Sequence, residues 1–193
     1  MNLLQSAGLH AAVLLALVAG AAPVVQAQQL LPEKSYVRFV SKQMNVPVEG
    51  IFRKFTAQIV WNAAKPEASS ARIELDPGSI DLGMEDINKE ARGKDWFDTA
   101  AQPRATFIST TVKMSGAGRY EAAGKLTIKG RTRDVVASFS AKPDAGGMVF
   151  EGAFPIKRLE FGIGEGSWGD PNVVANEVEI RFRLQLAPPP AKK

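Results

Sequence analysis

The chain has 193 residues and a formal net charge of +4, with 24 basic and 20 acidic side chains interspersed along it. This even distribution predicts no nucleic-acid partner, because such proteins usually carry a concentrated basic patch. The chain has no cysteine, and its single histidine is His10. The chain after His10 therefore has no imidazole or thiolate, which excludes from it the catalytic triads and metal centres that need these groups. We expect no metal and no cofactor.

Residues 1–27 have the pattern of a secretory signal peptide. An apolar stretch at 11–20 precedes a compact V-Q-A sequence at 25–27, although no Lys or Arg comes before the stretch. The apolar stretch is too short and too rich in small residues for a membrane span. We expect cleavage after Ala27, which would also remove His10, and export to the periplasm of a Gram-negative bacterium.

Residues 28–187 show the alternation of apolar and polar side chains that is typical of β-strands with one buried face. The clearest case is 176–186, where Val178, Ile180 and Phe182 share one face and charged residues occupy the other. Eight strands are predicted, at 35–41, 51–61, 70–76, 104–114, 119–129, 134–141, 147–157 and 176–186. Their short, turn-rich connections predict an all-β fold, an eight-stranded antiparallel up-and-down barrel in a single domain.

Three segments depart from this rhythm. Phe52 and Phe55 have opposite parity, which predicts a β-bulge between them that turns both rings inward. Residues 84–98 have helical spacing and predict one short helical insertion that covers an end of the barrel. The glycine-rich loop at 162–169 predicts a flexible connection at the barrel mouth, with Trp168 as a lid, and residues 188–193 predict a disordered tail.

The interior of an eight-stranded barrel is either filled by side chains or left open for one small ligand. The sequence leaves both alternatives open, because its inward positions mix large rings with alanine and glycine. The side chains expected to line the interior, and any ligand within it, are Val37, Phe39, Phe52, Phe55, Ile59, Trp61, Ile73, Leu75, Trp96, Phe97, Phe107, Leu126, Ile128, Phe139, Phe154, Phe161, Trp168, Ile180 and Phe182.

Several sequence motifs together resemble the YceI family of exported polyisoprenoid-binding proteins. They are S-Y-V-R-F at 35–39, G-I-F-R-K-F at 50–55, S-I-D-L-G at 79–83, D-W-F-D at 95–98, Q-P-R-A-T-F-I-S-T at 102–110, G-K-L-T-I-K-G-R-T at 124–132 and I-K-R-L-E-F-G-I-G at 156–164. The resemblance implies a lipocalin-like antiparallel barrel whose apolar tunnel holds an isoprenoid chain, such as a quinone tail. The W-F-D variant is similar to the branch found alone or fused to b-type cytochrome membrane domains, which implies respiratory quinones.

We therefore expect a periplasmic lipid-binding protein, not an enzyme, that holds an isoprenoid lipid or quinone for transport or storage. One alternative is a packed barrel that acts as an interaction module for an inner-membrane redox protein such as a b-type cytochrome. A third hypothesis is a hydrolase that uses the carboxylates between 81 and 98, of which Asp95 and Asp98 are the candidates.

Overall fold

The computed structural model describes residues 28–144 and 147–188. The predicted signal peptide, 1–27, lies outside the described residues, as does most of the predicted tail. Within the described part of the chain, no helix is both long enough and apolar enough to cross a membrane.

The described residues form one antiparallel sheet of ten strands and one α-helix, α1 (Glu85–Arg92). The strands are β1 (Tyr36–Gln43), β2 (Val46–Phe52), β3 (Phe55–Val60), β4 (Ser70–Leu75), β5 (Ile80–Asp81), β6 (Ala105–Gly116), β7 (Arg119–Ile128), β8 (Arg131–Asp144), β9 (Gly147–Lys157) and β10 (Glu177–Leu186). Their order across the sheet is β3-β4-β6-β7-β8-β9-β10-β1-β2-β5. The prediction of an all-β antiparallel fold with one helical insertion is confirmed.

The predicted number of eight strands is wrong, because one predicted strand divides and one short strand is additional. The predicted strand at 51–61 is interrupted at Arg53 and Lys54 and divides between β2 and β3, with a sharp corner instead of the expected bulge. The predicted strand at 70–76 corresponds to β4, and after a 3-10 turn, Pro77–Ser79, the chain pairs again as the short strand β5. Backbone hydrogen bonds from Arg53 N to Ser79 O (3.1 Å) and from Asp76 N to Lys54 O (3.0 Å) tie the two corners together.

These corners curl the sheet around its apolar face. β2 and β3 lie towards opposite ends of the strand order, yet only two residues separate them in the chain. The segment after Ala27 supports the curl at the other end, because Gln28 forms a bridge with Ile59 of β3 and Leu30 with Leu186 of β10. The side chains that alternate inward therefore face one another across a common interior.

Glycines create space for aromatic rings inside the sheet. Gly152 of β9 lies in register between Phe182 of β10 and Phe139 of β8. A Cβ at this position would overlap the carbonyl oxygen of Ser138 and lie 2.7 Å from Cζ of Phe182. Gly124 of β7 likewise leaves room for the ring of Phe107, because a Cβ at position 124 would lie 2.6 Å from that ring. The rings can lie along the interior only because these two positions lack side chains.

Helix α1 and the turns after it cover one end of the curled sheet. Ala91 is buried, and Asn88 Oδ1 accepts a hydrogen bond from Leu82 N (2.7 Å), which fixes the helix to β5 and its flank. Within the predicted helical segment at 84–98, the helix ends at Arg92 with Gly93 as its C-cap, as expected for a glycine at that position. The turns that follow direct Trp96 and Phe97 towards the interior.

A buried arginine organises the glycine-rich loop beside α1. Arg158 is 1% exposed and donates to five backbone carbonyls, those of Ile163, Gly164, Trp168, Val174 and Ala175, at 2.7–3.1 Å. These bonds use all five guanidinium N–H groups. Burial lowers the pKa of Arg158 from its ordinary value. The loop was predicted to be flexible, but in the structure its backbone converges on this one side chain.

A second set of contacts ties the same loop to the turn between β7 and β8. Lys129 Nζ donates to the carbonyl oxygen of Gly162 (2.6 Å), and Arg131 Nη2 pairs with Glu165 Oε1 (2.8 Å). The hydrogen bond from Arg131, and to a lesser extent that from Lys129, holds the pKa of Glu165 below its usual range. The loop is therefore fixed from two sides.

Gly152→Ala is expected to lower the free energy of unfolding by about 1–3 kcal/mol, because the added methyl group overpacks the ladder between two phenylalanines. Denaturant unfolding measures the change. Gly116→Ala is the matched control in β6, since its Cβ would meet no atom closer than 3.9 Å, and it should stay within about 0.5 kcal/mol of the original protein. Equal effects of the two substitutions would contradict the packing described.

Arg158→Met should lower the free energy of unfolding by about 3 kcal/mol or more, because buried carbonyl oxygens lose their donors. Chemical denaturation provides the measurement. Arg133→Met, which removes an exposed arginine whose side chain donates only to the carbonyl of Thr132, should change stability by less than about 0.5 kcal/mol. Unaltered stability of Arg158→Met would show that the guanidinium does not hold the loop.

Candidate functional site

The interior of the curled sheet is incompletely filled and contains an inner cavity of about 160 Å³. Almost all of its lining is apolar, and the polar residues that border it are Ser69, Ser70 and Thr106. The predicted lining residues found there are Val37, Phe52, Ile59, Trp61, Ile73, Leu75, Phe97, Phe107, Leu126, Ile128, Phe139, Phe154, Ile180 and Phe182. Because its wall is almost entirely apolar, the inner cavity favours a hydrocarbon group over water.

A larger outer cavity of about 470 Å³ lies beside the helix and the Arg158 loop. It contains three further predicted lining residues, Phe39, Trp96 and Trp168. Its wall is more polar than that of the inner cavity. The polar and charged residues that border it are Ser41, Lys42, Gln43, Asp86, Glu90 and Arg158.

The two cavities meet at a neck of four side chains. Phe52, Phe97, Ile128 and Ile180 border both cavities. The rings of Phe52 and Phe97 pack edge to face with their centroids 5.7 Å apart. The two cavities are therefore adjacent, and a flexible chain that occupied both would have to pass between these side chains; we call this path the lipid route.

Two buried polar atoms beside the outer cavity lack a hydrogen-bond partner among the described residues. They are Ser41 Oγ and Trp96 Nε1, both of which belong to residues that border the cavity. A buried donor without an acceptor costs free energy, so such groups usually have a partner in a functioning state. A ligand with acceptor oxygens would supply one.

Trp168 lies at the outer cavity, where it was expected as a lid. Its Nε1 donates to Glu90 Oε1 of α1 (3.3 Å), and its ring lies 5.6 Å from that of Trp96. Its backbone carbonyl accepts from Arg158 Nη2 at 2.7 Å. The indole therefore joins the loop to the helix across this cavity.

Two predicted lining residues, Phe55 and Phe161, border neither cavity, so that part of the prediction is wrong. Phe55 begins β3 immediately after the corner, and its ring is only partly buried as it packs against the core. Phe161 is 1% exposed but belongs to a 3-10 turn, Arg158–Phe161, and fills the core behind the wall. Phe161 lies outside the strands, whereas Phe55 shares the face of Ala57 and Ile59 in β3 and packs against their cluster at the corner.

Sequence reasoning missed several residues that border the cavities. Phe150 and Val112 border the inner cavity, and Leu82, Ile156, Ile163 and Val174 border the outer one. The alanines at 105, 122 and 137, together with Val178 and Leu184, also border the cavities, and these five had been expected to face inward although they were not among the predicted ligand contacts. Strand alternation indicates most of them. Arg158 has no such signal, because it lies in a charged stretch, K-R-L-E, that is typical of an exposed turn.

Three carboxylates of the region between 81 and 98 take part in ion pairs or hydrogen bonds, Asp81 with Arg53, Glu85 with Arg92 and Glu90 with Trp168. Hydrogen bonding to Arg53 lowers the pKa of Asp81, and hydrogen bonding to Arg92 lowers that of Glu85. A general acid at neutral pH needs a raised pKa instead. In the parts of the chain that the structure describes, no three His, Cys, Asp or Glu side chains gather into a candidate metal site.

Comparison with known proteins agrees with this architecture. A family model described as the YceI-like domain matches residues 29–186. The curated relatives include UPF0312 proteins of Azotobacter vinelandii, 38% identical over 120 residues, and of Ectopseudomonas mendocina, 35% identical over 120 residues. Each alignment covers 59% of this chain. This chain spans 62% and 63% of the length of these two relatives.

Solved structures give the same result. BcnA of Burkholderia cenocepacia is 42% identical with a TM-score of 0.81, and the match covers 82% of this chain and 100% of that one. A polyisoprenoid-binding domain from Saccharophagus degradans, implicated in plant cell wall breakdown, is 18% identical with a TM-score of 0.68. That match covers 85% of this chain and 99% of the other, and at this identity it shows the fold alone. The chain belongs to the YceI-like family.

Proposed function

We propose that the protein binds an isoprenoid lipid, a quinone or a polyprenyl lipid, in the apolar interior of its curled sheet and carries or stores it in the periplasm. The observation that carries this proposal is the pair of adjoining cavities, carbon-lined inside and mainly apolar outside, where several polar and charged side chains also border the wall. An amphipathic ligand with a long apolar tail and a small polar head matches that gradient. The name of the Saccharophagus degradans domain, which describes a polyisoprenoid binder of the same fold, agrees with this proposal.

The size of the cavities supports a long and thin ligand. The inner cavity of about 160 Å³ is no larger than a site for a small ring. With the outer cavity of about 470 Å³, the route reaches the range of ordinary ligand pockets. A flexible chain can occupy both volumes, whereas a compact ligand of the same volume would not pass the neck.

The polar atoms of the outer cavity favour a neutral head group with carbonyl oxygens, as in a quinone. Trp96 Nε1 and Ser41 Oγ are free to donate, whereas all five N–H groups of Arg158 already bind carbonyls. Asp86 and Glu90 border the same cavity and would repel a phosphate. Lys42 is the remaining cation in its lining.

Binding rather than catalysis is the proposed activity, and exchange of the ligand with an inner-membrane redox protein such as a b-type cytochrome is part of the proposal. Apolar side chains around the outer cavity support such contact. Met44 and Val46 next to Gln43, and Met84 and Ile87 on and beside α1, are 45–68% exposed. Exposed apolar groups beside a ligand route favour contact with an apolar surface.

Phe107→Asp should abolish retention of a bound isoprenoid, because it places a carboxylate in the apolar wall of the inner cavity. Organic extraction of the purified protein, followed by mass spectrometry, measures the retained lipid. Ile108→Asp is the matched control on the neighbouring, outward position, where the side chain is 40% exposed. Normal lipid content in a folded Phe107→Asp variant would contradict the proposed binding site.

Trp96→Phe should weaken the binding of ubiquinone about two- to tenfold, because it removes one hydrogen-bond donor and keeps a large ring. Binding of squalene, an isoprenoid hydrocarbon without a head group, should stay unchanged and serves as the internal control. Titration of delipidated protein followed by native mass spectrometry gives both affinities. Equal loss for ubiquinone and squalene would show that Trp96 acts through packing alone.

A further inference from the structure

We infer that Trp61 is the end stop of the lipid route and sets the longest isoprenoid tail that the protein binds. This inference rests on the proposed function and adds a specificity-determining residue to it. Three observations support it: the position of Trp61 along the route, the aromatic rings that pack around its indole, and the protein surface close to that indole.

Trp61 lies at the end of the inner cavity that is farther from the outer one. Along β9, Ile156 borders the outer cavity, Phe154 the inner cavity, and Phe150 packs against Trp61. Ile156 lies six residue steps along the strand from Phe150, which corresponds to about 20 Å at roughly 3.3 Å per residue. A tail that entered past the neck would therefore meet Trp61 last.

The indole crosses the interior instead of lining one wall. Trp61 follows β3, and its ring packs against Tyr120 of β7 (4.8 Å between centroids), Phe150 of β9 (5.2 Å) and Phe139 of β8 (6.1 Å). Strands β4 and β6 stand between β3 and β7 in the sheet order. All three ring pairs are T-shaped. Together the indole and the three rings around it form a wall across the route.

Packing alone holds this wall in place. Trp61 Nε1 is buried and has no hydrogen-bond partner among the described residues. The lining of the inner cavity also includes Ser69 and the exposed Ser70 at the start of β4, and Ser70 pairs with Val60 directly before Trp61, so the surface lies close to the indole. Removing the indole would therefore extend the cavity towards the surface and leave room for more of the tail.

The test is a competition among ubiquinones whose tails increase by one isoprene unit at a time. Delipidated protein is offered an equimolar mixture, and the bound quinones are extracted and quantified by mass spectrometry. The ratio of long to short tails is read within each sample, so it does not depend on how much protein is folded. The original protein should prefer longer tails up to a cut-off and discriminate against those beyond it.

Trp61→Ala should move the cut-off to longer tails and enrich the first length beyond it by about tenfold, since further methylene groups become buried. Trp61→Leu, which keeps an apolar side chain, should also move the cut-off to longer tails. This variant provides the test if the alanine variant does not fold. Ala71→Leu, in the inner cavity opposite Ile59, should move the cut-off to shorter tails.

Tyr36→Ala is the matched control, because it removes a ring that borders neither cavity, and it should leave the cut-off where it is. The inference is overturned if the original protein binds all tail lengths equally, or if the Trp61 variants keep its cut-off. If the original protein binds no ubiquinone of any length, the proposed function itself fails, and that outcome is distinct from the other two.

Discussion

The bends at Arg53–Lys54 and Pro77–Ser79 determine the shape of the whole interior. Each bend lets one stretch of chain pair with two different neighbours, and the backbone hydrogen bonds between the corners hold both bends together. Because the sheet curls at these points, its apolar faces meet around a common space. That space is wider than its side chains fill, and the two cavities are the result.

The polarity of the route follows from which elements close each end. Strand interiors supply only alternating apolar side chains, so the inner cavity is bordered by carbon. The outer end is closed by α1 and the Arg158 loop, and the polar side chains that border it come from α1, from the end of β1 and from Arg158 itself. Arg158 satisfies the carbonyls of that loop, whereas Ser41 Oγ and Trp96 Nε1 are buried there without a partner among the described residues.

The sequence predicts which side chains face inward but not where the strands bend. Alternation along 176–186 predicts that Ile180 and Phe182 face the interior, because one face of that strand is apolar throughout, and both side chains border the inner cavity. The division at Arg53 depends on a hydrogen bond to Ser79, a contact between residues far apart in the chain. Phe161 was misplaced for a related reason, because it belongs to a turn that packs behind the wall. The cavity itself depends on how far the sheet curls, which no local pattern encodes.

The central claim is that the interior holds an isoprenoid lipid rather than remaining empty or packed. Native mass spectrometry of the protein purified from a bacterial periplasm, followed by organic extraction, tests it most directly. We expect one long-chain isoprenoid per protein molecule, which is released on extraction and identified by its mass. A clean mass of the protein alone, with no uptake of added quinones, would contradict the account and favour a protein that acts only through its surface.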